Sequence, residues 1–482
     1  MPRLPCLPLV VAAMVIAGCA LESPPKPDEL RTQALPNLAV PGAYVSAGGG
    51  QGVVADNWIA TFHDGDLDAL VREALAYNSD LRVAAARVEQ SAAYAKLAGA
   101  GIYPVVNLLA HGGGKMGGDA SGLSGGGLFV SWELDLWGRV RSQAATGSAG
   151  YEATLADERF ARQSIAAAVA KAWILAIEAK LQRALAEEIA AAAVRAAGLA
   201  RDRQRVGIGD AYDVALAEVT VETTREAVRS LALAEQQAQR ALETLVGRYP
   251  AATIEVRTSL PSMPGAVPVG LPSELLERRP DVVAAERRVA AAFHAVGEAK
   301  AARLPKIALT ASVSSVSSDL FVLQNHSNPV WSLGANLVAP IFNGFALESQ
   351  VEIRTAEQKL AIADYGRIGA RAFGDVEGAL SAGFAADERE AILARAVVSN
   401  ARALELAKER FRVGSGDLRA VLQQGTALGA ARAAELRMTS ERRVQRVNLY
   451  LALGGGFGVE PSAAGAPAAD ALAGGTTRGT PR

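Results

Sequence analysis

Two hydrophobic periods alternate along this chain, and their order occurs twice. From Val106 the apolar positions fall every second residue, with Val106, Leu108 and Ala110 set against Asn107, Leu109 and His111. After a Gly-rich turn the alternation returns as Leu128, Val130, Trp132, Leu134 and Leu136 against Phe129, Ser131, Glu133 and Asp135. Further on, Ile307, Leu309, Ala311 and Val313 alternate with Ala308, Thr310, Ser312 and Ser314. Last come Trp331, Leu333, Ala335, Leu337, Ala339 and Ile341 against Ser332, Gly334 and Asn336. A period of two predicts strands with one apolar and one polar face. They form two hairpins, over about 104–137 and 305–342.

Helical periodicity surrounds each hairpin. Before the first it covers 66–76 and 80–100, and before the second 273–278 and 281–303. Behind the hairpins, 138–249 and 341–460 contain no proline. Each of these is interrupted once, at Val206-Gly207-Ile208-Gly209-Asp210 and at Val413-Gly414-Ser415-Gly416-Asp417. The arm 139–205 would run about 100 Å as one helix, at 1.5 Å per residue. The returning arm carries a heptad seam of Val214, Val221, Val228, Glu235 and Leu242 with Ala217, Thr224, Leu231, Ala238 and Leu245. Apolar repeats every 3.5 residues predict helices packed side by side.

The two halves are copies. Asp80, Ala84, Arg87, Val88, Ala98, Pro104 and Leu108 recur at Asp281, Ala285, Arg288, Val289, Ala299, Pro305 and Leu309, a constant offset of 201 (305 − 104 = 201). The Val-Gly-x-Gly-Asp turns are offset by 207 (413 − 206 = 207). A period this long is a duplicated half-protein and not a solenoid unit. The predicted organisation is a signal peptide (1–18), a lipid anchor and extended tether (19–56), a first repeat (57–250, arms 139–247), a linker (251–270), a second repeat (271–453, arms 346–453) and a disordered tail (454–482).

Composition narrows the class. Half of the 482 residues are hydrophobic but only 5% are aromatic, which favours long, closely packed Ala-rich helices. A formal net charge of −1 gives no electrostatic footprint for nucleic acid. Arg3 and the apolar run from Leu7 to Ile16 read as an export signal, too short to span a bilayer. Ile16-Ala17-Gly18-Cys19 resembles the lipobox of bacterial lipoproteins, which implies acylation of Cys19. The absence of Asp at Ala20 implies sorting to the outer membrane. Cys6 leaves with the signal, so no disulfide forms in the mature chain.

No enzyme is legible. His63, His111, His294 and His326 are scattered, without metal-like spacing. Gly112-Gly113-Gly114 and Gly125-Gly126-Gly127 flank a loop between strands and not a strand and a helix, so they make no phosphate cradle. Glu133 and Asp135 suit a wet lumen better than acid–base work. No cofactor and no metal are expected beyond the lipid on Cys19. Strands of about ten residues with one apolar face fit a transmembrane sheet, whose interfacial aromatics would be Trp132 and Trp331. A soluble two-sided sheet is the other reading. Open edges are costly in lipid and four strands are too few for a closed barrel, so the strands predict closure by several chains.

The run Leu275-Leu276-Glu277-Arg278-Arg279-Pro280-Asp281-Val282 with Ala285-Glu286-Arg287-Arg288 resembles the signature of the outer membrane factor family, the TolC-like and NodT-like efflux lipoproteins. So do Trp132-Glu133-Leu134-Asp135-Leu136-Trp137-Gly138-Arg139 and Pro340-Ile341-Phe342-Asn343-Gly344. The resemblance runs from about Trp58 to Leu453. It implies a mainly α protein with a transmembrane β-barrel: a homotrimer whose twelve-stranded barrel continues into a twelve-helix coiled-coil tunnel. It implies an outer-membrane efflux conduit, with a periplasmic adaptor and an inner-membrane pump as partners. Type I protein secretion and a poreless periplasmic coiled-coil lipoprotein are the alternatives. The resemblance also makes the turns at Gly207, Gly209, Asp210, Gly414, Gly416 and Asp417 the adaptor-contacting tip, with Asp417 and Arg412 as aperture candidates. Each Asp can equally cap the helix that follows. The family pattern has an acid where this chain has Gly416, and a Leu-Asp-Ala-Gln-like run where Gln423 and Gln424 stand.

Overall fold

The computed structural model describes residues 23–46, 57–111, 124–270, 272–317 and 330–455. The signal peptide, Cys19 and the tail from residue 456 lie outside the described residues. In chain order the elements are α1 (Pro27–Ala34), α2 (Gly65–Tyr77), α3 (Ser79–Gly99), β1 (Val105–His111), β2 (Ser124–Leu134), α4 (Arg139–Arg205) and α5 (Ala211–Leu245). There follow α6 (Pro272–Arg278), α7 (Pro280–Ala301), β3 (Lys306–Ser317), β4 (Val330–Val338), α8 (Ala346–Arg412) and α9 (Leu418–Ala452).

The strands form one antiparallel sheet in the order β1-β2-β3-β4. Its register aligns the apolar positions of all four. Leu108 pairs with Leu128, Leu128 with Val313, and Val313 with Trp331. One row away, Val106, Val130, Ala311 and Leu333 line up in the same way. The opposite face carries Asn107, Phe129, Ser312 and Ser332, with the last two hydroxyls 2.7 Å apart. Among the described residues no core covers the apolar face: Leu108 is 76% and Leu333 88% exposed.

Strand ends differ from the alternation at three places. β2 begins at Ser124, so Gly125, Gly126 and Gly127 lie in the ladder and not in a flanking loop. Without side chains there, β2 approaches β3 closely: a Cβ on Gly127 would stand 2.7 Å from the Val313 carbonyl oxygen. β2 ends at Leu134 and leaves Leu136 outside, because the Asp135 carboxylate reaches forward to accept the N–H groups of Val140 and Arg141, each at 3.0 Å. Those are free donors of the first turn of α4, so one residue ends a strand and starts a helix. β4 stops at Val338, two residues before Pro340, which has no N–H for a ladder, and so leaves Ala339 and Ile341 outside.

The arms α4 and α8 are each 67 residues long. Buried positions of α4 are mostly alanine, including Ala153, Ala166, Ala170, Ala193 and Ala197, which lets helix axes approach closely. α5 buries Ala217, Val221, Glu235 and Leu242, all seam positions, and Glu235 is paired to Arg183 at 2.9 Å. The main core sits between sheet and tips. Trp58 stacks on Tyr450 at 5.2 Å, and Trp173 donates through Nε1 to the buried Asp64 at 2.9 Å.

Two segments read as connectors are packed instead. Within the extended tether, α1 lies on α8 with Leu30 buried, and the Glu377 carboxylate accepts the N–H of Val45 at 2.8 Å and of Ser46 at 2.9 Å. The linker 251–270 buries Ile254, Val256, Val267 and Val269. Glu243 accepts the N–H groups of Ala252, Thr253 and Ile254 at 2.7, 2.7 and 2.9 Å, and Arg443 donates to the Pro261 carbonyl at 2.6 Å. Ordinary Val and Ile at irregular spacing give no period, so only long-range contacts reveal the packing.

Candidate functional site

The helix-to-helix turns are built twice to one design. At the end of α4, Gly207 takes φ +80°, and its N–H reaches the Gln204 carbonyl at 3.0 Å while the Ile208 N–H reaches Arg203 at 3.0 Å. At the end of α8, Gly414 takes φ +76°, with its N–H on Phe411 at 3.2 Å and the Ser415 N–H on Arg410 at 2.9 Å. This double bond pattern is the Schellman motif, which satisfies the last free carbonyls of a helix and needs a residue without a Cβ penalty. Gly209 is required for space: a Cβ there would meet the Gln204 nitrogen at 2.7 Å.

Asp210 then accepts the Tyr212 N–H at 2.5 Å, and Asp417 accepts the Ala420 N–H at 2.8 Å. Both aspartates cap the following helix, and Asp417 also pairs with Arg419 at 3.2 Å. Arg412 is held on its own helix by Glu409, with contacts of 2.9 and 2.5 Å.

The two tips touch through residues that the sequence did not single out. Arg203 lies over the Phe411 ring, 4.8 Å from its centroid, and Arg419 over the Tyr212 ring at 5.7 Å. Tyr212 and Arg419 are one position in the two halves (419 − 212 = 207). The repeat was the signal that marked them: equal sites whose chemistry had diverged into a cation and an aromatic ring. Leu418 is buried beside Ala193, Ala197, Ala200, Ala217 and Val221, seating the second hairpin on the first. Beside this contact lies a cavity of ≈ 600 Å³ lined by Ala196, Leu199, Leu404 and Leu422, with Glu188 and Lys408 also in its wall.

At the other end of the molecule, Trp132 and Trp331 both stand on the apolar sheet face. Trp132 pairs with Leu309, Trp331 with Val313, and the two rows are four residues apart along β3 (313 − 309 = 4). Trp132 donates through Nε1 to the Ile102 carbonyl at 2.9 Å, and Trp331 is 77% exposed. Where the strands pass into α4, Glu133 holds Arg139 in a bidentate pair at 2.8 and 2.7 Å.

Among the described residues, no three His, Cys, Asp or Glu side chains group to hold a metal ion. Burial alone pushes the His294 imidazole below its ordinary range. His63 follows the short helical turn Trp58–Phe62, and the structure does not bring it together with His294 into a site. His326 lies outside the described residues. No described helix is long and apolar enough to cross a membrane.

Comparison with known proteins agrees with this architecture. The family model described as "Outer membrane efflux protein" matches residues 70–248 and 271–455, one segment per half. The cation efflux system protein CusC of Escherichia coli is 30% identical over 94% of this chain and 100% of its own length. The pyoverdine export outer membrane protein OpmQ of Pseudomonas aeruginosa is 31% identical, over 94% of this chain and 97% of its own. Among solved structures, the outer-membrane channel OprN superposes with a TM-score of 0.80 at 27% identity, covering 88% of this chain and 99% of OprN. The open state of the Neisseria gonorrhoeae MtrE channel superposes with 0.78 at 28% identity, covering 91% and 99%. The chain therefore belongs to the outer membrane efflux protein family, and it is an outer-membrane channel of a Gram-negative efflux system.

Proposed function

We propose that three copies of this chain close one twelve-stranded barrel and one helical tunnel, a passive conduit carrying small molecules, drugs among them, to the cell exterior. The observation that carries this reading is the four-stranded sheet with a bare apolar face and outer edges at β1 and β4. In lipid each unpaired backbone group costs several kcal/mol, so those edges need partners. Four strands per chain fall short of the roughly eight in the smallest single-chain membrane barrels, and three chains supply twelve. Asn107, Ser131, Thr310 and Ser332 then line a wet lumen, while Trp132 and Trp331, about 13 Å apart along the strands, face lipid on the apolar side.

The tip turns at Gly207, Gly209, Asp210, Gly414, Gly416 and Asp417 meet a periplasmic adaptor, and an inner-membrane pump supplies the energy. Asp417, with Arg412 nearby, borders the aperture. An acyl group on Cys19 adds an anchor, and the docked segment 23–46 ties it to the second repeat. Relatives named for cation efflux and for pyoverdine export align over nearly the whole chain, which supports a tube of little chemical preference whose cargo is selected by the pump. The test is the native mass of the detergent-extracted mature protein. Three chains are expected, with ion conductance in planar bilayers; a folded monomer overturns the reading.

A further inference from the structure

The duplication places a joint inside each chain that has a counterpart at its outer edges. Near the sheet the helices stand in the order α3, α4, α7, α8, parallel to β1-β2-β3-β4. The inner joint is α4 against α7, an arm of the first half on a helix of the second. On α7 it uses a stripe of Ala284, Arg288, Ala291, Ala295 and Glu298. Arg288 pairs with Asp157, Arg287 beside the stripe with Glu152 at 3.4 Å, and Glu298 with Arg139 at 3.9 Å. On α4 the facing stripe runs through Ser142, Thr146, Ala149, Ala153 and Asp157, with the Thr146 hydroxyl 3.5 Å from the Ala291 carbonyl.

Both stripes recur where nothing among the described residues covers them. An offset of 201 carries α7 onto α3, and an offset of 207 carries α4 onto α8 (346 − 139 = 207). Ala284, Arg288, Ala295 and Glu298 become Val83, Arg87, Tyr94 and Leu97; Thr146, Ala153 and Asp157 become Ile353, Leu360 and Asp364. The inner alanines are buried and their counterparts bare: Ala284 is 0% exposed against 50% for Val83, Ala295 8% against 61% for Tyr94, and Ala153 3% against 67% for Leu360. Of the inner ion pairs, Arg288 with Asp157 is the one whose two members both recur unchanged. Arg87 is exposed with no ion pair or hydrogen bond among the described residues, while Asp364 pairs only within its helix, to Arg367 at 3.0 Å.

We infer that the α3 edge of one copy docks on the α8 edge of the next as α7 docks on α4, with Arg87 paired to Asp364 across the copies and Val83, Tyr94, Leu97, Ile353 and Leu360 buried between them. The partner is a second copy of this chain, and the inference rests on the trimeric reading above. The sheet supplies an independent check. Hairpin registers Val105 to Ser131 and Lys306 to Val338 give the strand offsets, 201 for β1 onto β3 and 207 for β2 onto β4. The inner pair Val130 and Ala311 then becomes Leu337 of one copy and Ala110 of the next. Both lie on the apolar face, so the face runs unbroken from chain to chain; a slip of one residue would turn it inward.

The chain's two cysteines, Cys6 and Cys19, both precede the described residues, so introduced thiols are the reactive ones in the folded part. The full-length double variant Arg87→Cys/Asp364→Cys, in outer membranes treated with a short bis-maleimide, is expected to give linked species of two and three chains on denaturing gels. The pair Asp157→Cys/Arg288→Cys links within one chain and controls for reactivity. Tyr94→Cys/Ile353→Cys keeps the test open if losing the ion pair prevents assembly, and it too should link between copies. A native mass of three chains, with the inner pair linked but neither outer pair joining chains, overturns this joint and leaves the trimer standing. A monomeric native mass overturns the trimer and the joint with it.

Discussion

Glu243 is a buried carboxylate whose role is to hold backbone. Its burial opposes ionisation, but the N–H groups of Ala252, Thr253 and Ile254 outweigh that and hold it below the usual carboxylate range. A depressed folded pKa gives stability that is full above the unfolded value of about 4.3 and is lost as pH falls through the folded one. Glu243→Gln is expected to lower the thermal midpoint at neutral pH and to flatten its fall on acidification; a variant with the wild-type profile would remove Glu243 from this role. Leaving a buried donor unpaired costs about 1–3 kcal/mol, and three backbone donors depend on this one side chain. At the tip, Asp417 divides its carboxylate between the Ala420 N–H and Arg419. Asp417→Ala removes a cap worth roughly 1 kcal/mol and is expected to raise the resting single-channel current. Asp417→Asn keeps a good capping group and drops the charge, so a wild-type current there assigns the effect to the cap and discards a charged ring. An unchanged current in Asp417→Ala discards both.

At the scale of elements, the long arms needed no unusual residues. Their ends are where the chain supplies Schellman glycines and capping aspartates, and between those ends alanine at the contact positions sets the spacing. The strands were equally legible, since alternation is a property of neighbours in sequence. At two of the moved bounds a single polar or cyclic residue intervened: Asp135 reached forward to the start of α4, and Pro340 followed two residues after the last rung of β4. The exposed apolar face carries its own prediction. Leu333→Arg places a charge on the lipid side and is expected to cost about 2–4 kcal/mol near the membrane midplane. Asn336→Arg, on the other face, should cost far less. Urea midpoints of protein refolded in lipid vesicles compare the two, and equal losses would mean that the faces are not lipid and lumen.

For the whole molecule, the sequence by itself determined the duplication, the two hairpins, the four arms and the tip turns, because periodicity, proline placement and glycine-aspartate turns act over a few residues. It also carried the residues that resemble the outer membrane factor family, and the segmented family match follows the same two halves. Only the tertiary structure decided what lies against what. Segment 19–56 reads as a tether from its prolines and glycines, and 251–270 as a linker, yet Leu30, Val256 and Val269 are buried by partners far away in the chain. The contacts of Arg203 with Phe411 and Arg419 with Tyr212 join residues about 200 positions apart, beyond any local pattern. The physical reason is the same in each case: a helix or strand is specified by its own side-chain period, whereas a docking partner is specified by a surface that exists only once both elements have formed.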